Sequence, residues 1–520
     1  MIPVFTTAGM RRVDEVSIGG DPTIGYSYML KAGMGIFETV KGIIPDPDCG
    51  PVAIICGKGN NGGDGYVVGS LLLDAGYRVM CYSLCDVDSI IGEARIAYGE
   101  YTSRKGSCFV INDAEDLSNL GGNVLIIDAI LGTGVKGNPR GLYALVIEAM
   151  NVSGVPVLSV DTPSGLNNDS GVPGTPCVMA QTTVTMGFPK LGQFFYPGRA
   201  NVGKLIIRDL GYPEEVVIDQ REDVYLPDQE ALRAILPSRK ENGSKFDHGL
   251  TFLLCGSRGM TGAATLASLS ALRSGAGMVH LAIPESLLDT MAAKVTEPVL
   301  HPIDETAQGT ASFSSLARIV SLSEKMNAFC IGSGLSHEPQ TTSLVRELIR
   351  KVNIPVVLDA DGINSFKDHV SDLKKHSSEV VITPHRGEWK RLFGELAEDP
   401  MGTIGQLKRR ASEFNVTILL KGSPTMVASP DGNVHILPFG DSSLATAGSG
   451  DVLSGIITSL IAQGVACTDA AVLGAFIQGE AGCLAGKELT KYSVLAGDVV
   501  NFIPRVIRGL VSSKQTVPEC

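Results

Sequence analysis

Short apolar runs alternate with helical patterns along most of this chain. Most of the runs are continuously apolar rather than alternating, which is typical of parallel strands that are buried on both faces. The strands predicted in this way include residues 52–56, 78–83, 124–128, 155–161, 251–255, 278–283, 328–331, 356–359, 380–383 and 416–421. The predicted fold class is therefore α/β, with mainly parallel sheets.

The pattern also predicts a division of the chain into two domains. Strand-like segments are sparse between residues 210 and 248, where an acidic run at 214–223 is followed by a turn-rich segment at 237–245. A chain of 520 residues has room for two large domains. We therefore predict a boundary near residue 220, with one α/β domain at 1–220 and another at 221–520.

The amino-acid composition and net charge of the chain limit the kinds of molecule that it can bind. Hydrophobic residues make up 44% and charged residues 19% of the chain, which describes a globular protein. The net charge of −12 argues against nucleic acid or an anionic membrane as a partner, although backbone N–H groups can still bind a small anion. Eleven cysteines occur as scattered single residues without a spacing suited to zinc. With neither a signal-peptide pattern nor a membrane-length apolar run, we expect a cytoplasmic protein.

The loop after the first long strand is rich in glycine. Three of its glycines fit the G-x-G-x-x-G pattern of a dinucleotide-binding turn: Gly57, Gly59 and Gly62. This pattern alone is weak evidence, and an NAD-dependent dehydrogenase built on it would use Asp86 to bind the ribose. That interpretation leaves three polar side chains of the same loop unexplained, namely Asn60, Asn61 and Asp64.

Two further strands of the first half end in an aspartate followed by small residues. These segments are 128–134, Asp-Ala-Ile-Leu-Gly-Thr-Gly, and 161–166, Asp-Thr-Pro-Ser-Gly-Leu. The ligand crevice of an open α/β sheet lies outside the carboxyl ends of its strands, so we expect Asp128 and Asp161 to face one crevice. A structural role for Asp161, as the cap of a turn, is the alternative at this stage.

Together the three segments resemble the N-terminal domain of the YjeF family, the NAD(P)H-hydrate epimerase, over about the first 210 residues. The resemblance implies a Rossmann-like three-layer sandwich, with a catalytic Asp161 that contacts the reacting ring. A buried carboxyl group such as that of Asp161 could supply a proton to the leaving hydroxyl of the hydrate and retrieve it. The resemblance also implies a potassium ion held by Asn61, Asp128 and Ser164. The implied hydrate-binding residues are Asn60, Asn61, Gly62, Gly63, Asp64, Gly132, Thr133, Gly134, Val135, Lys136, Gly137, Asn138 and Asp161.

The most informative segment of the second half is residues 444–456, where glycines and small residues lead directly into a helical pattern. The backbone N–H groups of residues 447–450 at the start of that helix form a hole suited to a transferring phosphoryl group. Asp451, in the first turn, is placed to accept a proton from a hydroxyl group that attacks phosphorus. The segment therefore predicts phosphoryl transfer.

Two other strand ends carry residues of matching chemistry. Lys421 follows a buried strand at a tight turn, where it would lie near the phosphates of a nucleotide, and His385 and Glu388 follow another strand. Trp389, the only tryptophan, is expected to pack in the core. The P-loop pattern G-x-x-x-x-G-K-[ST] is absent from the sequence.

The motifs Thr-Pro-His-x-Gly-Glu, Lys-Gly-x-x-Thr and Ala-Gly-Ser-Gly-Asp-Val-Leu-x-Gly resemble the NAD(P)H-hydrate dehydratase domain, which is ribokinase-like, over about residues 225–510. The resemblance implies that four residues contact the hydrate: Ala263, Gly334, His385 and Asp451. It implies that six contact the nucleotide: Lys421, Gly422, Ser423, Pro424, Thr425 and Gly450. The sequence departs from the family pattern at Arg386, where proline is usual, and at 247–249, where Asp-His-Gly replaces His-Lys-Gly.

The two resemblances, in this order, predict a bifunctional repair enzyme. It would interconvert the R and S forms of hydrated NAD(P)H and dehydrate the S form with ADP and Mg²⁺, giving AMP and phosphate. Its partners would be small molecules, and we expect a homo-oligomer. The main alternative is a ribokinase-like small-molecule kinase with an N-terminal nucleotide-binding or scaffold domain. A non-catalytic ligand-binding protein and an NAD-dependent dehydrogenase are weaker alternatives.

Overall fold

A computed structural model describes residues 1–117, 119–134 and 137–512. These residues divide into two compact units. The N-terminal unit comprises Pro3–Val224 with Asp399–Met401, and the C-terminal unit comprises Met1–Ile2, Tyr225–Glu398 and the chain from Gly402 onward. Both units are α/β, as the sequence predicts. Within the described ranges, no helix has the length and apolar character that a membrane span requires.

After a two-residue strand, β1 (Ile2–Pro3), the N-terminal unit contains a parallel sheet of seven strands. These are β2 (Val52–Cys56), β3 (Val79–Ser83), β4 (Ser107–Val110), β5 (Leu125–Ala129), β6 (Val157–Val160), β7 (Thr182–Met186) and β8 (Lys204–Arg208). Their spatial order is β4-β3-β2-β5-β6-β7-β8, so the direction of winding reverses between β2 and β5. This is the Rossmann-like order, and the reversal is where such sheets bind ligands.

Helices cover both faces of this sheet. They are α1 (Thr7–Ile18), α2 (Pro22–Ile43), α3 (Asn60–Asp74), α4 (Gly92–Ser103), α5 (Leu142–Val152), α6 (Arg199–Val202) and α7 (Glu214–Gln220). Alternate residues of β2 point to opposite faces, so Ile54 packs in a core with α2, α3 and α4, whereas Ile55 packs in a core with α5. Burial on both faces explains why the strand is continuously apolar.

The C-terminal unit is built on a larger, mainly parallel sheet. Its further strands are β9 (Val224–Leu226), β10 (Leu250–Leu254), β11 (Met278–Pro284), β12 (Val299–Ile303), β13 (Ala328–Ile331), β14 (Val356–Leu358), β15 (Val380–Ile382), β16 (Thr417–Leu420), β17 (Thr425–Ala428) and β18 (Val434–Leu437). The spatial order is β1-β9-β18-β17-β16-β15-β14-β13-β10-β11-β12. Strands β10 to β16 pair in parallel, and β16, β17 and β18 pair antiparallel.

The helices of this unit include one that is almost completely buried. They are α8 (Gln229–Ile235), α9 (Thr261–Arg273), α10 (Leu288–Lys294), α11 (Leu316–Ser323), α12 (Pro339–Lys351), α13 (Asp361–Asn364), α14 (Arg386–Phe393), α15 (Pro400–Phe414), α16 (Ser449–Ala462), α17 (Cys467–Leu489) and α18 (Ala496–Val511). Every residue of α16 from Val452 to its end is buried. It lies close to α9, because a Cβ atom on Gly455 would approach the carbonyl oxygen of Ala267 to 2.3 Å.

Two candidate active sites

A cavity of about 570 Å³ opens between the carboxyl ends of β2 and β5, at the reversal of the N-terminal sheet. Seven of the predicted residues line it: Asn60, Asn61, Asp64, Gly132, Thr133, Gly134 and Asp161. Gly62 and Gly63 lie in the first turn of α3, while Gly137 and Asn138 lie outside the lining. The other two predicted residues of this loop, Val135 and Lys136, lie outside the described residues.

Glycine is required at two positions of the first loop because neighbouring backbone segments pack closely there. A Cβ atom on Gly62 would lie 2.0 Å from the carbonyl oxygen of Gly57, and one on Gly57 would lie 2.0 Å from that of Ile130. Asp86, by contrast, is exposed and caps a short turn by accepting a hydrogen bond from the N–H of Asp88 at 3.0 Å. It does not line the cavity, so the geometry gives no support to a dehydrogenase.

Asp161 is held by a buried lysine. Its Oδ1 accepts hydrogen bonds from the ammonium group of Lys190, from the Thr185 hydroxyl at 3.3 Å and from the N–H of Met186 at 3.2 Å. Lys190 is only 2% exposed, and its ammonium group also donates to the Thr185 hydroxyl and the Met186 carbonyl, each at 3.1 Å. The sequence analysis missed Lys190, which lies four residues beyond β7, a strand that it did not predict.

Two more carboxyl groups line the same cavity. Burial raises the pKa of Asp64 well above its ordinary value, and the negative charges of Asp161 and Asp14 raise it further. Burial also raises the pKa of Asp14, although a hydrogen bond from the Tyr212 hydroxyl opposes that shift. The cavity therefore combines an ion pair, Asp161 with Lys190, and a carboxyl group at Asp64 that favours its neutral form.

Asp128 and Ser164 are hydrogen-bonded to each other, and both are fully buried. The Asp128 carboxylate accepts hydrogen bonds from the Ser164 hydroxyl at 2.5 Å, the Ser164 N–H at 2.9 Å, the Ser159 hydroxyl at 2.8 Å and the Ile130 N–H at 3.3 Å. Burial raises the pKa of Asp128, and these hydrogen bonds oppose the shift. No cationic side chain among the described residues pairs with it.

In the C-terminal unit, Asp451 lies in the first turn of α16, directly after Gly450. Burial raises the pKa of Asp451 to about 6, and the negative charge of Asp359 is the next cause. Gly448, with a φ of +92°, turns the chain into the helix, and a Cβ atom there would lie 2.6 Å from Leu266. The first N–H groups of α16 have no partner within the helix, as at any helix start, and can bind an anion.

Asp359 connects several elements of this site. It follows β14 and is 1% exposed. Its Oδ1 accepts from the Thr383 hydroxyl at 2.7 Å and from the Lys421 ammonium at 2.8 Å, and its Oδ2 accepts from the Ser454 hydroxyl of α16 at 2.9 Å. Burial alone would raise the pKa of Asp359, but the charge of Lys421 and the hydrogen bonds lower it. The sequence placed Asp359 at a strand end without giving it a role.

Lys421 lies beside the start of α16. A Cβ atom on Gly450 would lie 3.5 Å from the Lys421 nitrogen and 3.4 Å from Asp359 Oδ2. Burial lowers the pKa of Lys421, but the carboxylates of Asp359 and Glu388 outweigh it and raise the pKa overall. Lys421 thus stays cationic next to the predicted anion hole. The structure brings Lys421, Gly450 and Asp451 together at the start of α16.

The other predicted residues lie at neighbouring strand ends. His385 caps α14, where its Nδ1 accepts from the N–H groups of Gly387 at 2.9 Å and Glu388 at 3.2 Å, and it remains 51% exposed. Gly334 has a φ of +72°, and a Cβ atom on it would lie 3.1 Å from the Cβ of Ala263. Three residues complete the turn between β16 and β17 after Lys421, namely Gly422, Ser423 and Pro424, and Thr425 is the first residue of β17.

Comparisons with known proteins cover both parts of the chain. Residues 25–192 match the family model described as YjeF-related protein N-terminus, and residues 251–505 match the model described as NAD(P)H-hydrate dehydratase. The bifunctional NAD(P)H-hydrate repair enzyme Nnr of Moorella thermoacetica is 36% identical over 99% of this chain and 98% of its own length. That of Thermofilum pendens is 34% identical over 90% of this chain and 89% of its own.

Among solved structures, the ADP/ATP-dependent NAD(P)H-hydrate dehydratase of Bacillus subtilis, co-crystallised with ATP and Mg²⁺, is 28% identical to this chain. The match covers 56% of this chain and 99% of the Bacillus subtilis protein, with a TM-score of 0.49. The two α/β units and their sites define a two-domain enzyme that acts on nucleotides. The chain belongs to the family of bifunctional NAD(P)H-hydrate repair enzymes. The predicted pairing of an epimerase domain with a dehydratase domain is thereby confirmed.

Proposed function

We propose that residues 1–220 interconvert the R and S forms of hydrated NAD(P)H, and that residues 221–520 dehydrate the S form with ADP, giving AMP and phosphate. The observation that carries the proposal is the position of Asp451, whose pKa is raised to about 6 at the start of α16 beside Gly450 and Lys421. A carboxylate there can accept a proton where helix N–H groups can stabilise a transferring phosphoryl group. We also predict that the protein is a homo-oligomer, which light scattering can test by measuring its mass in solution.

The epimerase chemistry needs an acid and a stabiliser of positive charge. In the hydrate, the hydroxyl group is on a carbon next to the ring nitrogen. When that C–O bond breaks, the hydroxyl takes a proton and leaves as water, and the nitrogen lone pair forms a C=N⁺ bond. Water then adds to the other face and returns the proton. The sequence pointed to Asp161 as the proton donor, but Asp161 is paired with Lys190. We therefore assign to Asp161 the stabilisation of the cationic ring, and to the neutral carboxyl group of Asp64 the supply and retrieval of the proton.

A monovalent cation fits the group around Asp128. That carboxylate is fully buried, and within the described chain it has hydroxyl and N–H partners but no cationic one. Asn61 lines the cavity, and its side-chain oxygen, rather than its amide nitrogen, could act as a ligand for a cation. We propose that Asn61, Asp128 and Ser164 hold K⁺. When bound, the ion would neutralise the buried carboxylate and order the loops around the substrate.

In the dehydratase domain, Asp451 deprotonates the hydroxyl group of the S form as its oxygen attacks the β-phosphorus of ADP. The bond from that phosphorus to the bridging oxygen breaks, and AMP leaves. The N–H groups at the start of α16 and the Lys421 ammonium stabilise charge on the phosphoryl group. The ring nitrogen then expels phosphate, and loss of a proton from the neighbouring carbon gives NAD(P)H.

The remaining predicted contacts complete this site. We propose that Ala263, Gly334 and His385 bind the hydrate, and that the turn from Lys421 to Thr425 binds the nucleotide with Gly450. Mg²⁺ would enter on the phosphates of the nucleotide, since Mg²⁺ is commonly held by phosphates and one or two carboxylates. Within the described residues there is no preformed group of three or more His, Cys, Asp or Glu side chains for a metal.

The test is the stoichiometry of the nucleotide. The purified protein is incubated with the S form of hydrated NADH, Mg²⁺ and either ADP or ATP, and nucleotides are separated by chromatography. The proposal predicts one AMP and one phosphate for each NADH formed from ADP. NADH formed only with ATP, or AMP released without NADH, would contradict it.

A further inference from the structure

A second cavity, of about 540 Å³, lies in the C-terminal unit on the same side of the sheet as the dehydratase site. Its walls come from segments that follow three adjacent parallel strands, β13, β14 and β15. The side chains that carry the argument are His337, Arg346, Asn364, Lys367, His369 and Arg391. Because ligands bind beyond the carboxyl ends of parallel strands, this is a place where a substrate can extend.

The lining is cationic in a chain whose net charge is −12. Arg346, Lys367 and Arg391 contribute three positive charges, His337 and His369 add two titratable rings, and no Asp or Glu lines the cavity. One acid outside the lining contacts it: Asp361 Oδ1 lies 3.5 Å from His337 Nε2. A cavity of this composition is suited to an anion.

The cations are oriented but not neutralised. Arg346 donates to the carbonyl oxygen of Ser365 at 2.8 Å and to the Ser343 hydroxyl at 3.1 Å, and Arg391 donates to the Asn364 side-chain oxygen at 2.6 Å. All three acceptors are uncharged. Within the described chain, the Lys367 side chain makes neither a hydrogen bond nor an ion pair. Each guanidinium group therefore keeps free N–H donors for a phosphate, which it can bind through two parallel hydrogen bonds.

One wall of the cavity also lies close to the proposed hydrate site. A Cβ atom on Gly387 would lie 2.8 Å from His385 Cε1 and 3.9 Å from Arg391 Nη2. The side chains of His385 and Arg391 therefore lie on either side of Gly387. His337 follows Gly334 by three residues on the segment after β13. We propose that this cavity binds a phosphate group of the hydrated dinucleotide while its nicotinamide end is dehydrated. The inference rests on the proposed dehydratase function.

Two phosphate groups of the substrate have this chemistry. The diphosphate bridge occurs in both hydrated NADH and hydrated NADPH, whereas the 2′-phosphate occurs only in hydrated NADPH. The full-length protein and the variants Lys367→Gln, Arg391→Gln and their combination are assayed for dehydration of each S form with saturating ADP and Mg²⁺. Lys325→Gln, an exposed lysine of the same unit that does not line the cavity, is the matched control.

For the double variant we expect kcat/KM to fall on the order of tenfold to a hundredfold, as for loss of hydrogen bonds to a charged group, with kcat little changed. A fall for both substrates assigns the cavity to the diphosphate, and a fall for hydrated NADPH alone assigns it to the 2′-phosphate. Equal kcat/KM values for wild type, control and variants overturn the inference.

A binding experiment separates this inference from the proposed function. Calorimetric titration with NAD⁺ and NADP⁺, which carry the same phosphates but do not react, is performed on the same proteins. If the wild type fails to turn over either hydrate, the proposed function fails, and the titrations still decide the present inference. Weaker binding of either dinucleotide by the double variant supports it, and unchanged binding of both contradicts it.

Discussion

Replacing Asp359 with asparagine would remove one buried negative charge while keeping the shape of the side chain. The asparagine oxygen can still accept hydrogen bonds from Lys421 and Thr383. Ser454 can accept from the new amide group, because its hydroxyl already donates to the carbonyl oxygen of Gly450 at 2.8 Å. Asp359→Asn therefore tests the charge of Asp359 rather than its packing.

The charge stabilises the fold through Lys421. Two unit charges 2.8 Å apart attract each other by about 6 kcal/mol at an effective dielectric constant of about 20. In the variant, Lys421 still has Glu388 as a partner at 3.8 Å, and at 22% exposure it still contacts water. These two interactions compensate for part of the lost attraction. We expect the free energy of unfolding to fall by about 3 kcal/mol, near the lower end for breaking a buried pair.

The same charge sets the pH dependence of dehydration. Asp451 acts as a base only when ionised, so kcat/KM of the wild type should fall as the pH drops through about 6. Asp359 is one of the causes that raise the pKa of Asp451. In Asp359→Asn the fall should therefore occur at lower pH, between the ordinary value of 3.8 and about 6.

The assay is the pH profile of dehydration with saturating ADP, together with urea unfolding of the same samples. Asp289→Asn, which changes an exposed aspartate of the same unit, is the control and should match the wild type in both. An acidic limb that stays in place or moves to higher pH in Asp359→Asn would refute the electrostatic reasoning. Unchanged stability would refute the role assigned to the pair with Lys421.

Three further predictions concern other parts of the molecule. Asp64→Asn should slow epimerisation by about a hundredfold to ten-thousandfold and should leave dehydration of the pure S form unchanged. Chromatography of the two epimers measures the rate, and a normal rate would exclude Asp64 as the acid. Replacing K⁺ with Na⁺ should slow epimerisation only, because the ion is proposed to neutralise Asp128, and equal rates in both salts would contradict that site. Gly455→Ala should lower the free energy of unfolding, measured in urea, by about 1–3 kcal/mol. The new Cβ atom would lie 2.1 Å from the Ser270 hydroxyl oxygen and 2.3 Å from the Ala267 carbonyl oxygen. An unchanged free energy of unfolding would show that α9 and α16 can move apart at low cost.

The ten strands predicted from apolar runs are all present, because most of them are buried on both faces and their sequences are apolar for that reason. Two of the strands that were not predicted have a different environment, although others, such as β7 and β18, are buried as well. Strand β4 (Ser107–Val110) and strand β8 (Lys204–Arg208) lie at the two edges of their sheet and are largely exposed or half-exposed. Polar residues are tolerated there, so the apolar run that identifies a central strand is absent.

The site residues divide in a similar way. Glycine-rich loops at strand ends are local patterns, so the positions of Asp161 and Asp451 could be inferred from short motifs. Lys190 and Asp359 escaped assignment because each acts through a residue far away in sequence. Lys190 pairs with a carboxylate 29 residues earlier, and Asp359 pairs with a lysine 62 residues later. Only the fold brings such partners together.

The central claim is that one chain carries two separate activities, an epimerase that depends on Asp161 and a dehydratase that depends on Asp451. The most direct measurement is the recovery of reduced-nicotinamide absorbance from a mixture of both NADH-hydrate epimers with ADP and Mg²⁺. We predict complete recovery by the wild type, none by Asp451→Asn, and a rapid partial recovery followed by a slow phase for Asp161→Asn. Complete, single-phase recovery by either variant, or none by the wild type, would contradict the account.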